Sequence, residues 1–201
     1  MGDTMAAEQS NPGEATTTET FALLPGVSGN AEFGPGNKYR YWLERRWSTA
    51  LPQFTYVLLN PSVASEDRDD RTTRRLCSLT QTNGGGGYEL VNLFAIVDTR
   101  QEHLHKSFAV GETASTCDKW IIQAVKGADT LVIGWGDGDA RQPPVLARQR
   151  AIRQRGRDTW PIVRFAHPQC FGWNDSGSPK YPGRLSEETT IVDYFPKSGY
   201  L

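Results

Sequence analysis

Polar side chains that could bind or activate a small molecule lie in or after apolar runs of the sequence. Asn60 follows YVLL, Asn92 lies within YELVNLFAI, and His167 follows WPIVRFA. An asparagine amide can donate and accept hydrogen bonds, and a histidine can donate to an oxygen that gains negative charge. The loop after Asn60 adds three carboxylates: Asp67, Asp69 and Asp70. A carboxylate there could take a proton from water, so the predicted site needs no metal or other cofactor.

Alternating strand and helix patterns position these residues. Apolar runs predict five strands, at residues 38–47, 54–60, 88–96, 130–136 and 160–168. Helical patterns between them cover residues 72–82, 113–126 and 143–156. Strands that alternate with helices at this spacing predict βαβ units and a parallel sheet. The first strand is expected to pair with the second through the short connection STALPQ.

Polar or glycine residues end each of the last four predicted strands, in the segments NPS, NLF, GWG and AHP. In a parallel α/β sheet, ligands bind outside the carboxyl ends of the strands. The sequence therefore predicts a pocket at this edge of the sheet, with Asn60, Asn92 and His167 around it.

Four short segments resemble motifs of the uracil-DNA glycosylase superfamily, in the order in which that superfamily has them. The segments are LLNPS (58–62), LVNLFAIVDTR (90–100), LVIGWGDGDA (131–140) and AHPQC (166–170). The resemblance covers about residues 54–172. It implies a three-layer α/β sandwich with a central four-stranded, mainly parallel sheet, helices on both faces and an added N-terminal strand.

The same resemblance implies a monofunctional DNA glycosylase, which flips a nucleotide out of DNA and hydrolyses its N-glycosidic bond. The candidate catalytic residues are Asn60, Asp69, Asp70 and His167, with the two aspartates taken from the acidic loop. The candidate base-binding residues are Pro61, Ser62, Asn92, Phe94 and Trp135. The candidate DNA contacts are Arg68 and Arg71 of an arginine cluster, and Phe171 and Trp173 at the position where the superfamily inserts a wedge. A modified pyrimidine is the expected substrate, and one version of this hypothesis is defence against phage whose DNA contains hypermodified cytosine.

The chain also closely resembles a large family of uncharacterised bacterial proteins, over about residues 38–185. The shared segments are Asn-Pro-Ser, Asp-Asp-x-Thr (Asp69, Asp70 and Thr72 here), Val-Asn-Leu-Phe and Trp-Gly. That family has a Gly-x-Pro-x-His-Pro segment near its end, and the corresponding GSPKYP places Tyr181 at the histidine position. This departure leaves His167 as the histidine for the glycosylase-like role.

Two other functions fit parts of the sequence. A metal-dependent nuclease or phosphoesterase could hold Mg²⁺ on the acidic loop of Glu66, Asp67, Asp69 and Asp70. A nucleic-acid-binding module without catalysis could use the arginine-rich helix at residues 141–157.

Composition and charge predict the domain organisation, the partners and the location of the protein. Residues 1–30 contain four acidic and no basic side chains, and predict a flexible acidic tail before one domain over residues 31–201. The rest of the chain has 22 basic and 19 acidic side chains, a net charge of +3 that permits a DNA partner. No apolar run is long enough to span a bilayer, which predicts a cytoplasmic protein without a membrane partner. The expected oligomeric state is a monomer. Three widely spaced cysteines, Cys77, Cys117 and Cys170, predict reduced thiols.

Overall fold

The apolar runs of the sequence form strands in the computed structural model, which describes residues 18–141, 143–197 and 200. The strands in these residues are β1 (Phe21–Ala22), β2 (Ser28–Phe33), β3 (Arg40–Arg46), β4 (Gln53–Leu58), β5 (Arg68–Asp69), β6 (Gly87–Asn92), β7 (Thr130–Ile133), β8 (Gln169–Cys170) and β9 (Val192–Asp193). The α-helices are α1 (Arg71–Thr82), α2 (Ala114–Lys126) and α3 (Val145–Val163). The chain thus has a mixed α/β fold.

Seven of these strands form one sheet, in the order β2-β3-β6-β4-β7-β8-β9. The central strands β6, β4, β7 and β8 are parallel, whereas β2, β3 and β9 form antiparallel pairs at the two sides. The chain leaves β4 through α1 to reach β6 on one side, and then crosses through α2 to reach β7 on the other. A reversal of strand order of this kind opens a crevice at the carboxyl ends of the strands.

Helices cover both faces of the sheet. Leu76 and Leu79 of α1 pack with Tyr56 and Leu90 in an apolar cluster on one face. Buried residues of α2 and α3 form the larger cluster on the other face. The three cysteines are buried and free, as expected, and lie in these two clusters. Among the described residues, no helix is both long enough and apolar enough to cross a membrane.

The expected pairing of the first two long strands is wrong, because β6 lies between them. Gly87 of β6 pairs with Arg46 of β3 on one side and with Gln53 of β4 on the other. The connection from residue 47 to residue 52 therefore spans two strand spacings, which is about 10 Å and within reach of six residues. A Cβ atom at Gly87 would lie 2.6 Å from Cδ of Arg46, so this crowded position favours glycine.

The strand predicted at residues 160–168 is also wrong, because α3 continues to Val163 and a short 3-10 turn follows it. The buried residues Ile152, Arg155, Thr159 and Val163 repeat at three- and four-residue spacing, which is the pattern of one helix face. A short apolar run such as WPIV has no feature that separates a strand from the buried side of a helix. The fourth parallel strand is instead the two-residue β8.

Part of the predicted acidic tail is folded. Residues 21–22 form β1, which pairs with β5, and β2 begins at Ser28 as an edge strand beside β3. The tail prediction for residues 1–17 lies outside the described residues, and the folded part of the chain begins before residue 31.

A buried ion pair joins the sheet to the loop that follows β4. Nε of Arg45 lies 2.9 Å from Oδ1 of Asp69, and both side chains are fully buried. The same guanidinium donates to the backbone oxygens of Ser65 and Arg68, at 2.6 and 2.9 Å. Because the arginine bonds both the carboxylate and the backbone, it fixes the loop immediately before α1.

We expect Asp69→Asn to lower the free energy of unfolding by about 3–5 kcal/mol, because it leaves the Arg45 charge buried without its partner. Urea denaturation of both proteins measures this difference. As a control, Glu102→Gln removes the exposed pair with Arg100 and is expected to change stability by less than about 1 kcal/mol. Equal effects of the two substitutions would show that the buried pair is not a principal constraint.

Candidate active site

The carboxyl ends of β4 and β6 lie side by side at the point where the strand order reverses. Leu58, at the end of β4, pairs with Asn92, at the end of β6. The antiparallel β3 begins at this same edge, where the amide of Arg40 donates to the backbone oxygen of Ala95. Three strands thus bring residues from distant parts of the sequence to one edge, as the sequence predicted for Asn60 and Asn92.

Asn92 has a buried side-chain oxygen that lacks a hydrogen-bond donor among the described residues. Only 4% of the residue is exposed, and its Oδ1 has no partner. By strand alternation its side chain lies on the same face as Tyr88 and Leu90, which is the face covered by α1. An unpaired buried polar atom costs about 1–3 kcal/mol, so a ligand that donates to this oxygen would recover that energy.

Asn60 has a different environment from Asn92. Its Nδ2 donates to the backbone oxygens of Pro61 and Asp98, at 2.9 and 2.8 Å. The hydroxyl of Ser62 bonds that of Thr99 at 3.1 Å. These bonds hold the segment after β4 against the segment after β6, so the donors of the Asn60 amide serve the structure. Its Oδ1 accepts no bond from a described residue.

The three aspartates of the acidic loop point to different partners. Asp69 is paired with Arg45, and exposed Asp67 accepts from the Ser65 hydroxyl at 2.8 Å. Asp70 is the N-cap of α1, where its Oδ1 accepts from the amide of Thr73 at 2.8 Å. Such a cap satisfies an amide at the helix start and fixes the orientation of the carboxylate. Of the three, Asp70 is the carboxylate that lies close enough to Arg40 and Tyr181 to influence the pKa of both.

Metal binding at this loop has no structural support. Within residues 18–141, 143–197 and 200, no group of three or more His, Cys, Asp and Glu side chains is arranged to hold a metal ion. The acidic loop fits this finding, because its carboxylates diverge toward Arg45, Ser65 and the start of α1.

Arg40 is a site residue that the sequence did not reveal. It is only 2% exposed, its Nη1 donates to the backbone oxygen of Ala64 at 3.0 Å, and its buried Nε has no acceptor. It forms no ion pair with any described residue. Burial lowers the pKa of its guanidinium to about 10, and the nearby Asp70 carboxylate acts in the opposite direction.

A bulge in β3 explains why Arg40 escaped prediction. Simple alternation places it on the opposite face from Tyr39, Tyr41 and Leu43 and on the same face as Trp42. In the structure, Glu32 pairs with Trp42 whereas Phe33 pairs with Arg40, so Tyr41 is an extra residue in β3. This shift places Arg40 on the face of Arg45, near Tyr88 and Asp70. The one feature of the sequence that could have identified Arg40 was an arginine at the start of a predicted strand.

Tyr181 reaches the same place from the loop after β8. Its hydroxyl bonds that of Thr72, in the first turn of α1, at 2.7 Å. Burial raises the pKa of Tyr181 to about 12, so the hydroxyl is neutral and able to donate near pH 7. The loop passes so close to α1 that a Cβ atom at Gly183 would lie 3.1 Å from Oγ1 of Thr72 and 2.5 Å from the Tyr181 ring. The residue at the family's histidine position therefore lies in the site.

Other predicted site residues lie elsewhere. His167 is exposed, with a left-handed backbone (φ 48°), and precedes β8, so it lies at the amino edge of the sheet, opposite to Asn92. Phe94 and Trp135 are buried in the core beneath α2 and α3, and the Trp135 indole donates to the Tyr200 hydroxyl at 2.9 Å. The structure does not bring His167 to the other predicted catalytic residues.

The predicted DNA contacts are divided between surface and core. Arg68 and Arg71 are exposed, and Arg71 lies 3.7 Å from Glu19. Phe171 is buried and stacks on Tyr56, with ring centroids 6.5 Å apart. Trp173 is half-buried, stacks on Tyr194 and donates to the backbone oxygen of Phe195 at 3.1 Å. Neither aromatic ring projects as a wedge, because each is packed against a neighbouring tyrosine.

The polar residues that share this edge and the α1 face form one group, which we name the edge cluster: Arg40, Asp70, Thr72, Asn92 and Tyr181. It combines a buried cation, a carboxylate, an amide with a free oxygen and two hydroxyls. Such a set can bind a polar heterocycle, offset a developing negative charge and accept a proton.

We expect Thr72→Val and Tyr181→Phe to be coupled, because either change removes the same hydroxyl bond. A double-mutant cycle on the free energy of unfolding should give a coupling energy of about 0.5–1.5 kcal/mol. Additive effects of the two substitutions would mean that Tyr181 does not bind α1 in solution.

Comparison with known proteins assigns the segment that contains the edge cluster to one family. Residues 40–182 match a family described as "Protein of unknown function (DUF1643)". No curated protein and no solved structure matches significantly. The expected membership in an uncharacterised family is confirmed, whereas none of these comparisons links the chain to the uracil-DNA glycosylase superfamily. The match begins at Arg40 and ends one residue after Tyr181, and it covers most of the chain, so this protein belongs to the DUF1643 family.

Proposed function

We propose that this chain is a DNA glycosylase that hydrolyses the N-glycosidic bond of a flipped pyrimidine, with modified pyrimidines as its main substrates. The principal support is Asn92, whose buried side-chain oxygen has no donor at the strand edge where α/β proteins bind ligands. The rest of the edge cluster supplies the groups that this reaction requires. The motif resemblance of the sequence is a second, independent support.

Base recognition is assigned to Asn92. Its free Oδ1 can accept from a ring or exocyclic N–H of a pyrimidine, and its Nδ2 can donate to a neighbouring oxygen or nitrogen. A base that lacks a matching donor would leave this oxygen unpaired, at a cost of about 1–3 kcal/mol. Asn92 pairs with Leu58 of β4, so the backbone that carries this amide is fixed. An amide held in this way favours one hydrogen-bond pattern over others.

Charge stabilisation is assigned to Arg40. Cleavage of the bond between the sugar and the base leaves negative charge on the departing base. A buried guanidinium with an unpaired Nε can donate to a carbonyl oxygen of that base, where low polarity strengthens the attraction. His167 was expected to have this role, but it lies at the opposite edge of the sheet. Arg40 is the cation on the correct side.

Water activation is assigned to Asp70. Its Oδ1 is engaged by the α1 cap, and its second oxygen is available to accept a proton from water as that water attacks the sugar carbon. Oδ1 of Asn60, at the end of β4, can accept a second hydrogen bond from the same water. Tyr181 is partly exposed and its hydroxyl bonds Thr72, so we assign it a contact with the base as the base enters.

The decisive test is alkali-induced strand cleavage after incubation with DNA duplexes that contain uracil, a thymine–guanine mismatch, hydroxymethylcytosine or its glucosylated form. We expect cleavage of at least one substrate, unchanged by EDTA. Asp70→Asn should lower the rate by about 10²–10⁴-fold, because the carboxylate acts as a general base. Asn92→Ala should lower kcat/KM on that substrate by at least tenfold, because it removes the contact to the base edge.

His167→Ala is the matched control, since His167 is exposed and distant from the edge cluster. It should retain the wild-type rate. Loss of activity in His167→Ala, together with full activity in Asn92→Ala, would overturn the site assignment. Metal-dependent cutting without alkali would instead establish a nuclease.

The role of Arg40 has a pH signature. Burial lowers the pKa of Arg40 from 12.5 to about 10, so the wild-type enzyme should lose rate only as the pH rises through about 10. The same burial acts on a lysine from a lower ordinary pKa, about 10.4, so the corresponding loss of rate in Arg40→Lys should begin at a lower pH than in the wild type. The pH profile of kcat/KM for both proteins measures this shift. Identical pH profiles of the two proteins would show that the charge of Arg40 has no part in the reaction.

A further inference from the structure

Four exposed arginines lie along one side of α3 and the turn that follows it. They are Arg150, Arg153, Arg157 and Arg164. Their spacings of three, four and seven residues place them on a single helix face. At 1.5 Å per residue, the row is about 21 Å long. We name this row the α3 stripe.

Two other arginines of α3 hold the opposite side of the helix against the body of the protein. Arg155 is buried, donates to the backbone oxygen of Leu93 at 2.7 Å and pairs with Asp118 at 2.5 Å. Arg148 is also buried and donates to backbone oxygens of Gln101 and Asp139. The arginine-rich segment therefore contains two populations, one structural and one directed outward.

The outward arginines have no acidic partners. None of the four forms an ion pair with a described residue. The one acidic residue of α3 is Asp158, and its carboxylate accepts from Gln154 at 2.8 Å. Arg153 lies 5.9 Å from the centre of the Tyr200 ring and Arg164 lies 4.4 Å from that of Phe165, contacts that leave the positive charge in place.

Like charges at these spacings destabilise a helix, and a polyanion laid along the face relieves that repulsion. Three other exposed arginines, Arg71, Arg100 and Arg141, lie within 4 Å of Glu19, Glu102 and Asp139. Exposed Arg68 and Arg184 form no ion pair with a described residue, but neither belongs to a row of like charges on one helix. The α3 stripe therefore differs from an ordinary solvated surface of mixed charge.

We propose that the α3 stripe is a docking surface for the phosphate backbone of DNA. One strand of a duplex has a negative charge every 3.4 Å along the axis, so a row of about 21 Å faces about six phosphates. Arginine binds phosphate in a bidentate manner, which suits a rigid linear array on a helix. A row of four cations contacts phosphates without reading bases, so the docking is independent of sequence.

The proposal goes beyond the proposed hydrolysis and does not depend on it. Docking is measured on unmodified DNA, whereas hydrolysis requires a target base in the edge cluster. If the protein binds DNA through the α3 stripe but cleaves no substrate, the docking proposal stands and the proposed hydrolysis is wrong. If it cleaves a substrate but its DNA affinity does not depend on the α3 stripe, the docking proposal is wrong and the proposed hydrolysis stands.

The test is fluorescence anisotropy with an unmodified 20-base-pair duplex over a range of salt concentrations. In the full-length chain, Arg150→Gln, Arg153→Gln and Arg157→Gln together should weaken binding at least tenfold at 0.1 M salt. The slope of log K against log salt should shrink by up to about 2.7, which corresponds to three lost phosphate contacts. Glutamine retains good helix propensity, so circular dichroism should show an unchanged helix content.

Two further variants distinguish docking from general charge. A triple lysine variant at the same three positions should keep most of the salt slope. A triple glutamine variant at Arg75, Arg100 and Arg141, which are ion-paired to neighbours, should bind nearly as the wild type does. Equal loss in this control would overturn the proposal. Binding to anionic phosphatidylserine vesicles without binding to DNA would overturn it as well and identify a membrane surface.

Discussion

The buried pair of Arg45 and Asp69 is the constraint on which the candidate site depends. It joins the end of β3 to the segment before α1, and the same guanidinium also bonds the backbone of that segment. A buried charge pair is costly to separate, so the loop has one position relative to the sheet. Asp70 follows directly and starts α1 at the strand edge. One ion pair thereby fixes the helix, its cap and the carboxylate that lies near Arg40.

Residues of one type have different roles here because their surroundings differ. Asn60 follows the parallel strand β4 and Asn92 ends the neighbouring β6, yet the first uses its donors to join two backbone segments and the second has a free oxygen. Asp69 and Asp70 are adjacent, yet one neutralises a buried arginine and the other caps a helix. The arginines of α3 are likewise divided between structural bonds and an outward row. Residue identity alone would assign the members of each set the same role.

Much of the fold was predictable from the sequence, and the reasons for the errors are local. Apolar runs and helical periodicity located β4, β6, β7, α1 and α2 to within a few residues, and the strand-end rule correctly brought Asn60 and Asn92 to one edge. Arg40 was missed because a one-residue bulge reverses the face of its side chain. The run at residues 160–168 was misread because a buried helix side and a strand have similar apolar content. Tyr181 was discounted as a departure from a motif, whereas its hydroxyl contacts Thr72.

The loop that contains Tyr181 has a consequence for how such a site can diversify. Arg40, Asp70 and Asn92 belong to the sheet and to α1, where any change disturbs packing on several sides. Tyr181 enters from a separate segment after β8 and meets α1 through a single hydroxyl bond. A histidine at this position would keep a polar group beside Thr72 while changing the shape and charge of this side of the edge cluster. Evolution can therefore alter which ligands bind through one loop, while the sheet and helix residues of the site stay the same.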